Sequence, residues 1–227
     1  MNKLDQNLQS LCPTVMVPRF EQLQPLDANG HRFLAAGDGL WIEVKRSWLN
    51  ARMPLASSPL RLPYGMVEPV VDFRFGRGLL PLLERFALEA RAAFPDEHAA
   101  WLVWNEATQQ LEYESVEVIQ QGVANISYDR PRFSPGRAPC VDLHSHGAFE
   151  AYFSDTDNTD DDDTKLAICI GNCDAPAPTI AARLCLQGAY TDLSEWLSRL
   201  LADSGTLTPT FSNKHPMRCH TEKELIY

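Results

Sequence analysis

The chain has 227 residues, of which 44% are hydrophobic and 22% are charged, a composition typical of a globular protein that buries a core. Its formal net charge of -10 argues against a surface that binds phosphate, so we expect no nucleic-acid partner. No segment approaches the roughly 18 apolar residues of a membrane helix, and the N-terminus lacks the layout of a signal peptide. We therefore expect a cytoplasmic protein with no membrane partner.

The N-terminal part of the chain predicts a small β-rich region. Residues 31–48 contain two short apolar runs around Gly37-Asp38-Gly39, which predicts a hairpin. Four prolines and a glycine in residues 54–70 are typical of an irregular segment between two parts of a chain. We predict a β-rich region over residues 1–70, a larger domain over 71–203 and a flexible C-terminal tail over 204–227.

The larger domain combines helical and strand patterns. Apolar residues recur at helical spacing from Gly78 to Phe94, and Pro95-Asp96 ends this predicted helix. The continuous apolar run from Ala99 to Trp104 predicts a strand covered on both faces, and Leu111 to Ile119 alternates as its antiparallel neighbour. Further strands are predicted at 123–128, 140–143, 165–170 and 179–187, and a short helix at 194–201.

The motif that carries chemistry is His144-Ser145-His146, followed by Ser154 and Asp157. Side chains two residues apart project from the same face of a strand, so the two imidazoles can converge on one point. The following loop can bring a hydroxyl and a carboxylate back to that point. Two imidazoles and one carboxylate leave the fourth position of a zinc ion for water, whose pKa falls towards roughly 7 in such sites.

Hydrolysis of an amide at such a site needs a group that moves the water's proton and a donor for the oxyanion. Ser154 is the candidate donor. Glu97 lies between the predicted helix and the buried strand, where a rigid core can point its carboxylate into a cleft, so it is the candidate base. Six other glutamates remain open on the sequence alone, namely Glu84, Glu89, Glu106, Glu112, Glu114 and Glu117.

Two other groups of ligand-type residues have simpler interpretations. The acidic run from Asp155 to Asp163 predicts a solvated loop, although Asp155 or Asp160 could substitute for Asp157 as a ligand. Cys169 lies in an apolar run and is interpreted as a buried thiol. We expect no metal role for the Cys169 and Cys173 pair, because no matching second pair exists.

The pattern Glu…His-Ser-His-x7-Ser-x2-Asp resembles the signature of the JAB/MPN (JAMM) metalloproteases over about residues 75–190. The resemblance implies an α+β fold of the MPN/JAB type, with a mixed β-sheet flanked by helices. It implies that His144, His146 and Asp157 bind Zn²⁺, that Glu97 activates the water and that Ser154 stabilises the tetrahedral intermediate. The implied reaction is cleavage of an isopeptide or peptide bond after a ubiquitin-like protein.

Within this family the chain is most similar to a bacterial branch, protein A of the PRTRC cassette. That cassette resembles ubiquitin-type conjugation systems, which implies a ubiquitin-like (β-grasp) protein or its conjugates as partner. Two departures from the family stand out. Gly147 replaces the usual proline, which predicts a less stiff loop. Only seven residues, 158–164, separate Asp157 from the next predicted strand, so the full helix of many members is not expected here.

Two alternative functions remain open on the sequence. The first is a non-catalytic MPN-like scaffold in a bacterial conjugation-type system, although every expected catalytic residue is present. The second is a PHP-like metal phosphoesterase, since Val141 to His146 also resembles the opening of that family. Such enzymes are barrels of about 250 residues, whereas only 81 residues follow His146.

Overall fold

The computed structural model describes residues 2–129, 131–160, 163–203 and 210–211. The chain divides into two compact units, residues 1–74 and residues 75–227, and each is described by itself. The predicted C-terminal tail, 204–227, lies outside the described residues except for 210–211. None of the helices within the described ranges is long and apolar enough to cross a membrane.

The first unit is a short helix followed by a five-stranded sheet. Helix α1 is capped by the side chain of Asn2, which accepts a hydrogen bond from the backbone N–H of Leu4. The strands follow one another in chain order across the sheet, with β1 parallel to β2 and the other pairs antiparallel. The elements are α1 (Lys3–Leu11), β1 (Thr14–Met16), β2 (Gly30–Ala36), β3 (Gly39–Arg46), β4 (Leu49–Ser57) and β5 (Val70–Phe73).

The predicted hairpin around Gly37-Asp38-Gly39 is confirmed, because β2 and β3 pair antiparallel on either side of this turn. A buried cluster on this sheet forms the core of the unit and includes Leu34, Trp41 and Val67. The first unit therefore has a hydrophobic core of its own.

The second unit is built on a mixed sheet with the strand order β13-β12-β11-β10-β6-β7. Strands β10 and β11 run parallel, while the other neighbours along this path are antiparallel. The elements are α2 (Leu79–Ala93), β6 (Ala99–Asn105), β7 (Gln110–Ser115), β8 (Glu117–Gly122), β9 (Asn125–Asp129), β10 (Arg137–Ser145), α3 (Asp155–Asp160), β11 (Lys165–Gly171), β12 (Thr179–Leu186), β13 (Ala189–Asp192), α4 (Ser194–Ala202) and β14 (Thr210–Phe211), the last pairing with β12. The predicted α+β class with a mixed sheet and flanking helices is confirmed.

Two elements of this unit follow directly from the burial pattern of the sequence. Helix α2 buries one stripe of side chains, among them Leu83, Phe86 and Ala90, at the spacing that predicted it. Strand β6 is buried at every position from Ala99 to Trp104, as expected for a strand covered on both faces.

The structure corrects the prediction of one long strand from Leu111 to Ile119. The chain instead breaks after Ser115: β7 pairs with β6, whereas β8 leaves the main sheet and pairs with β9. The apolar side chains of β8 remain partly exposed, Val118 at 39% and Ile119 at 65%. Hydrophobic alternation alone could not predict the break, because pairing with β6 and pairing with β9 satisfy the backbone hydrogen bonds equally well.

The acidic run was expected to be a loop, but its first part forms the short helix α3. Ser154 and Asp157 explain why a helix starts here. The hydroxyl oxygen of Ser154 accepts the backbone N–H of Asp157 at 3.2 Å, and Asp157 Oδ2 accepts the backbone N–H of Ser154 at 2.6 Å. This reciprocal pair is a capping box, with an aspartate in place of the usual glutamate.

A candidate metal centre

A cavity of about 490 Å³ beside the carboxyl end of β10 is lined by all five predicted site residues, Glu97, His144, His146, Ser154 and Asp157. One wall is strand β9 with the turn before it, residues 124–128. The cavity extends along the sheet to Trp101, Asp142 and Lys165, where the Lys165 ammonium donates to the Asp142 carboxylate at 2.6 Å.

The two histidines lie side by side, with ring centroids 5.1 Å apart, because residues i and i+2 of the extended chain share a face. His144 Nε2 is buried and has no hydrogen-bond partner within the described part of the chain. His146 packs against Tyr152, with ring centroids 4.5 Å apart. Burial, aided by the neighbouring His144, lowers the pKa of His146 to about 4. The His146 ring is therefore neutral at pH 7, the form that binds metals.

Asp157 brings a carboxylate to the same place. Its Oδ1 lies 3.6 Å from His144 Nε2, and its Oδ2 accepts hydrogen bonds from both the backbone N–H and the hydroxyl of Ser154 at 2.6 Å. Burial alone would raise the pKa of Asp157, but the charge of His144 and the bonds from Ser154 outweigh it, so the pKa is lowered. Asp155, one alternative ligand, is exposed and does not line the cavity. The side chain of Asp160, the other alternative, lies outside the described atoms.

Glu97 enters the cavity from the loop between α2 and β6 and is only 9% exposed. Strand β8 holds its backbone at both ends: the N–H of Glu97 donates to the carbonyl of Gly122 at 2.9 Å, and Gln121 Nε2 donates to the carbonyl of Glu97 at 2.8 Å. Burial, with a smaller effect from the charge of Asp157, raises the pKa of Glu97 to about 7. A carboxyl group with this pKa can both accept and release a proton at neutral pH.

None of the other six candidate glutamates lines the cavity. Glu89 instead accepts hydrogen bonds from Arg85 and Tyr113. Glu112 and Glu114 both pair with Arg137. Among the candidate bases, position in the cavity therefore singles out Glu97.

Ser145, the middle residue of the motif, ties the histidines to the Glu97 loop. Its hydroxyl accepts the backbone N–H of His98 at 2.9 Å, and its own N–H donates to the carbonyl of His98 at 2.8 Å. The side chain is completely buried. No role for Ser145 could be predicted from the sequence, and the structure shows that its role is structural.

Gly147 has a steric role in addition to the one predicted. Its φ of +51° lies in the left-handed region, and a Cβ there would lie 2.3 Å from the carbonyl oxygen of Pro95. A proline, whose ring fixes φ near -65°, cannot adopt this conformation. The glycine therefore allows the chain to approach the Glu97 loop closely, and the lower stiffness of its own loop stays a prediction.

Cys169 is the site residue that sequence reasoning missed. It is completely buried, as predicted for a thiol in an apolar run. Its Sγ also belongs to a cluster with the ligand nitrogens of His144 and His146 in which all the donor atoms lie within 4.8 Å of one another. Among the described residues, His144, His146 and Cys169 are the potential metal ligands whose donor atoms lie this close together. Asp157 does not belong to this cluster. Cys173 is likewise outside the cluster, and its thiol donates to the carbonyl of Ile170.

Comparison with known families matches two parts of the chain. Residues 79–185 match the family described as prokaryotic homologs of the JAB domain. This part of the chain is a JAB domain. The JAB domain is preceded by a match to a domain of unknown function (DUF2016) over residues 2–74.

Other comparisons add little to the JAB assignment. The solution structure of protein DSY2949 from Desulfitobacterium hafniense is 17% identical, with 50% of this chain and 86% of that chain covered and a TM-score of 0.39. A likeness of this size carries no argument about fold or function. Comparison with curated proteins found no match.

The donor set of this JAB domain fits a divalent zinc ion. Neutral imidazole, carboxylate and thiolate are the three ligand types that zinc accepts in proteins. The unpartnered Nε2 of His144 supports this fit, because a buried polar atom without a hydrogen bond is costly unless something binds it.

Proposed function

We propose that this JAB domain is a zinc-dependent peptidase or isopeptidase that hydrolyses an amide bond after a ubiquitin-like protein. The observation that carries the proposal is the convergence of Glu97, both histidines, Ser154 and Asp157 on one cavity. His144, His146 and Asp157 would hold the zinc ion. When bound, zinc supplies Lewis-acid chemistry that acidifies a water molecule and polarises the substrate carbonyl.

In this mechanism Glu97 moves the proton. Its carboxylate accepts a proton from the attacking water and passes it to the nitrogen of the leaving amine. A pKa of about 7 suits both steps at neutral pH, because neither form of the group is strongly preferred. Two hydrogen bonds with β8, to the carbonyl of Gly122 and from the side chain of Gln121, hold the backbone of Glu97 in position.

Ser154 is proposed to stabilise the oxyanion of the tetrahedral intermediate. In the structure its hydroxyl donates to Asp157 Oδ2, and its backbone N–H donates to the same oxygen. When the hydroxyl turns towards the oxyanion, the backbone N–H still holds the carboxylate. The change therefore costs one of two hydrogen bonds and leaves Asp157 oriented.

The proposed substrate class rests on the family and on the order of its domains. A DUF2016 match followed directly by a JAB domain supports assignment to the PRTRC system protein A branch. On that assignment the partner is a ubiquitin-like (β-grasp) protein or its conjugates in the bacterial cytoplasm. Tyr152 lines the cavity and is 54% exposed, so the cavity reaches solvent beside this ring.

A non-catalytic MPN-like scaffold is the second candidate, and one observation favours it. Cys169 lies near enough to the histidines to supply a further protein ligand. Four protein ligands are typical of structural zinc sites. The PHP-like phosphoesterase is not supported, because the sheet of the second unit is an open mixed sheet rather than a barrel.

Metal content and cleavage assays on matched variants test the proposal. Purified wild type should contain about one zinc per chain, whereas His146→Ala should contain little. Glu97→Gln should keep its zinc but lose most cleavage of a ubiquitin-like fusion, and Ser154→Ala should lose on the order of a hundredfold. Glu106→Gln, an exposed glutamate outside the cavity, is the control and should resemble wild type.

Two outcomes would contradict the proposal. If no metal binds even when zinc is supplied, the site lacks the ion on which the chemistry depends. If zinc binds but Glu97→Gln cleaves as fast as wild type, Glu97 is not the base. Zinc bound without any cleavage would favour the scaffold.

A further inference from the structure

We propose that Cys169, which does not itself line the cavity, is a further ligand of the metal that His144 and His146 bind, so that the centre has a mixed imidazole–thiolate donor set. The inference rests on the metal centre proposed above but not on its peptidase activity. It adds a soft sulfur donor to the two histidines and the aspartate that the family pattern supplies.

The strand register places the thiol on the correct face. Strands β10 and β11 are parallel neighbours, and Cys169 is the direct partner of His144 across them. Direct partners in a sheet project their side chains to the same side. His146 continues the same face two residues further along the chain. The sheet itself therefore holds one thiol and two imidazoles together.

The distances require only a small contraction. The three donor atoms lie within 4.8 Å of one another. Two donors on a tetrahedral zinc ion are roughly 3.5 Å apart, given Zn–N and Zn–S bonds of about 2.0 and 2.3 Å. Rotation of the imidazole rings closes a difference of about an ångström, and the unpartnered Nε2 of His144 loses no hydrogen bond by turning.

Cys169 is completely buried, and its thiol must lose a proton before the sulfur can bind a metal. On metal binding the S–H proton is released to solvent and the sulfur electron pair binds the cation. Cys140 and Cys173 donate to backbone carbonyls instead, so Cys169 is distinguished by its contact with the histidines.

The added ligand changes what the site binds. Thiolate is a soft donor, so the centre should favour zinc and other thiophilic cations over magnesium or manganese. Together with Asp157, the cluster makes four protein donors, so the water that the proposed peptidase reaction requires would bind as a fifth ligand. Cys169 therefore determines the coordination number at which the site could act.

Cobalt(II) substitution of the full chain tests this proposal through an optical signature that does not depend on activity. Cobalt bound to a thiolate shows a sulfur-to-metal charge-transfer band in the near ultraviolet, which nitrogen and oxygen ligands do not give. We expect the band in wild type and its loss in Cys169→Ala and in the bulkier Cys169→Val. Zinc affinity should fall at least about tenfold in both variants, since even outer-shell substitutions cost that much.

Cys185→Ala is the matched control. Cys185 is also completely buried, but it pairs with Lys165, roughly 13 Å along the strands from Cys169. This variant should keep both the band and the affinity. Circular dichroism spectra would show whether the Cys169 variants are folded, and one folded variant is enough for the test.

Three results would overturn the proposal. Stoichiometric cobalt without the band in wild type would remove Cys169 from the coordination sphere and leave the proposed peptidase site intact. A band that survives in Cys169→Ala and Cys169→Val would assign it to another thiol. A wild-type chain that binds no cobalt would remove both this ligand and the proposed metal centre.

Discussion

The side chains of Ser154 and Asp157 show how one local interaction serves both structure and site. Their reciprocal hydrogen bonds start helix α3, and the same bonds leave Asp157 Oδ1 directed towards His144. A Ser-x-x-Asp sequence is therefore both a helix start and a way of orienting a carboxylate. The spacing of these two residues in the motif follows from capping geometry.

Burial of Glu97 should lower the stability of the metal-free protein, and this loss can be measured. The pKa of Glu97 is about 7 in the folded protein against an ordinary value of 4.5. The loss of stability is therefore complete above pH 7 and disappears as the pH falls below 4.5. We expect Glu97→Gln to raise the free energy of unfolding at pH 8 by on the order of 1–3 kcal/mol, and to change it little at pH 4.5. Urea unfolding in the presence of a chelator measures both values.

Glu106→Gln provides the comparison for this pH effect. Glu106 is exposed, so its substitution should leave stability nearly unchanged at both pH values. An equal gain for Glu97→Gln at pH 4.5 and pH 8 would show that ionisation of this carboxylate is not the cause.

At the scale of elements, the loop after β10 and the loop before β6 are packed backbone to backbone at Gly147. Alanine at this position would combine a left-handed φ with a contact of 2.3 Å to the carbonyl oxygen of Pro95. We expect Gly147→Ala to lower the free energy of unfolding by at least about 2–3 kcal/mol. Chemical denaturation measures this loss.

Gly76→Ala separates the two contributions. Gly76 has a similar φ of +45°, but a Cβ there meets nothing within 4 Å. This control should cost only about 1 kcal/mol, the strain of the left-handed conformation alone. If both variants lose the same free energy of unfolding, the close approach to Pro95 does not contribute to the loss.

An element can be predicted from the sequence when the interactions that form it are local. Helix α2 and strand β6 could be predicted because their burial follows the period of the element itself. The pairing of β8 with β9 could not, because alternation does not identify a partner strand. Helix α3 carried a capping signal in Ser154 and Asp157 that was interpreted only as site chemistry.

The same distinction applies within the candidate site. His144 and His146 could be placed together from strand geometry, because they lie two residues apart at the carboxyl end of β10. Glu97 could be proposed from its position at the edge of a buried strand. Cys169 could not be found, since its nearness to the histidines depends on the register between β10 and β11, which the sequence does not state.

For the whole molecule, metal binding should increase the free energy of unfolding. An ion that binds only the folded chain raises the free energy of unfolding by about 2.7 kcal/mol at a free concentration of one hundred times its Kd. We expect zinc to raise the Tm of wild type and to have little effect on His146→Ala. Differential scanning calorimetry with and without zinc measures the shift.

Magnesium is the control, because a chain with a net charge of -10 attracts divalent cations without a specific site. Magnesium at the same concentration should shift both proteins slightly and equally. A zinc shift that persists in His146→Ala would place the stabilising ion elsewhere in the molecule.

The parallel pairing of β10 and β11 limits how far the connection between these strands can be shortened. A parallel connection must return across the sheet and needs about a dozen residues or more. Here it comprises the nineteen residues 146–164. Removing the nine residues of the acidic run, 155–163, would leave ten. The length of this crossover therefore has a lower limit that topology sets, independently of the charge that the acidic run carries.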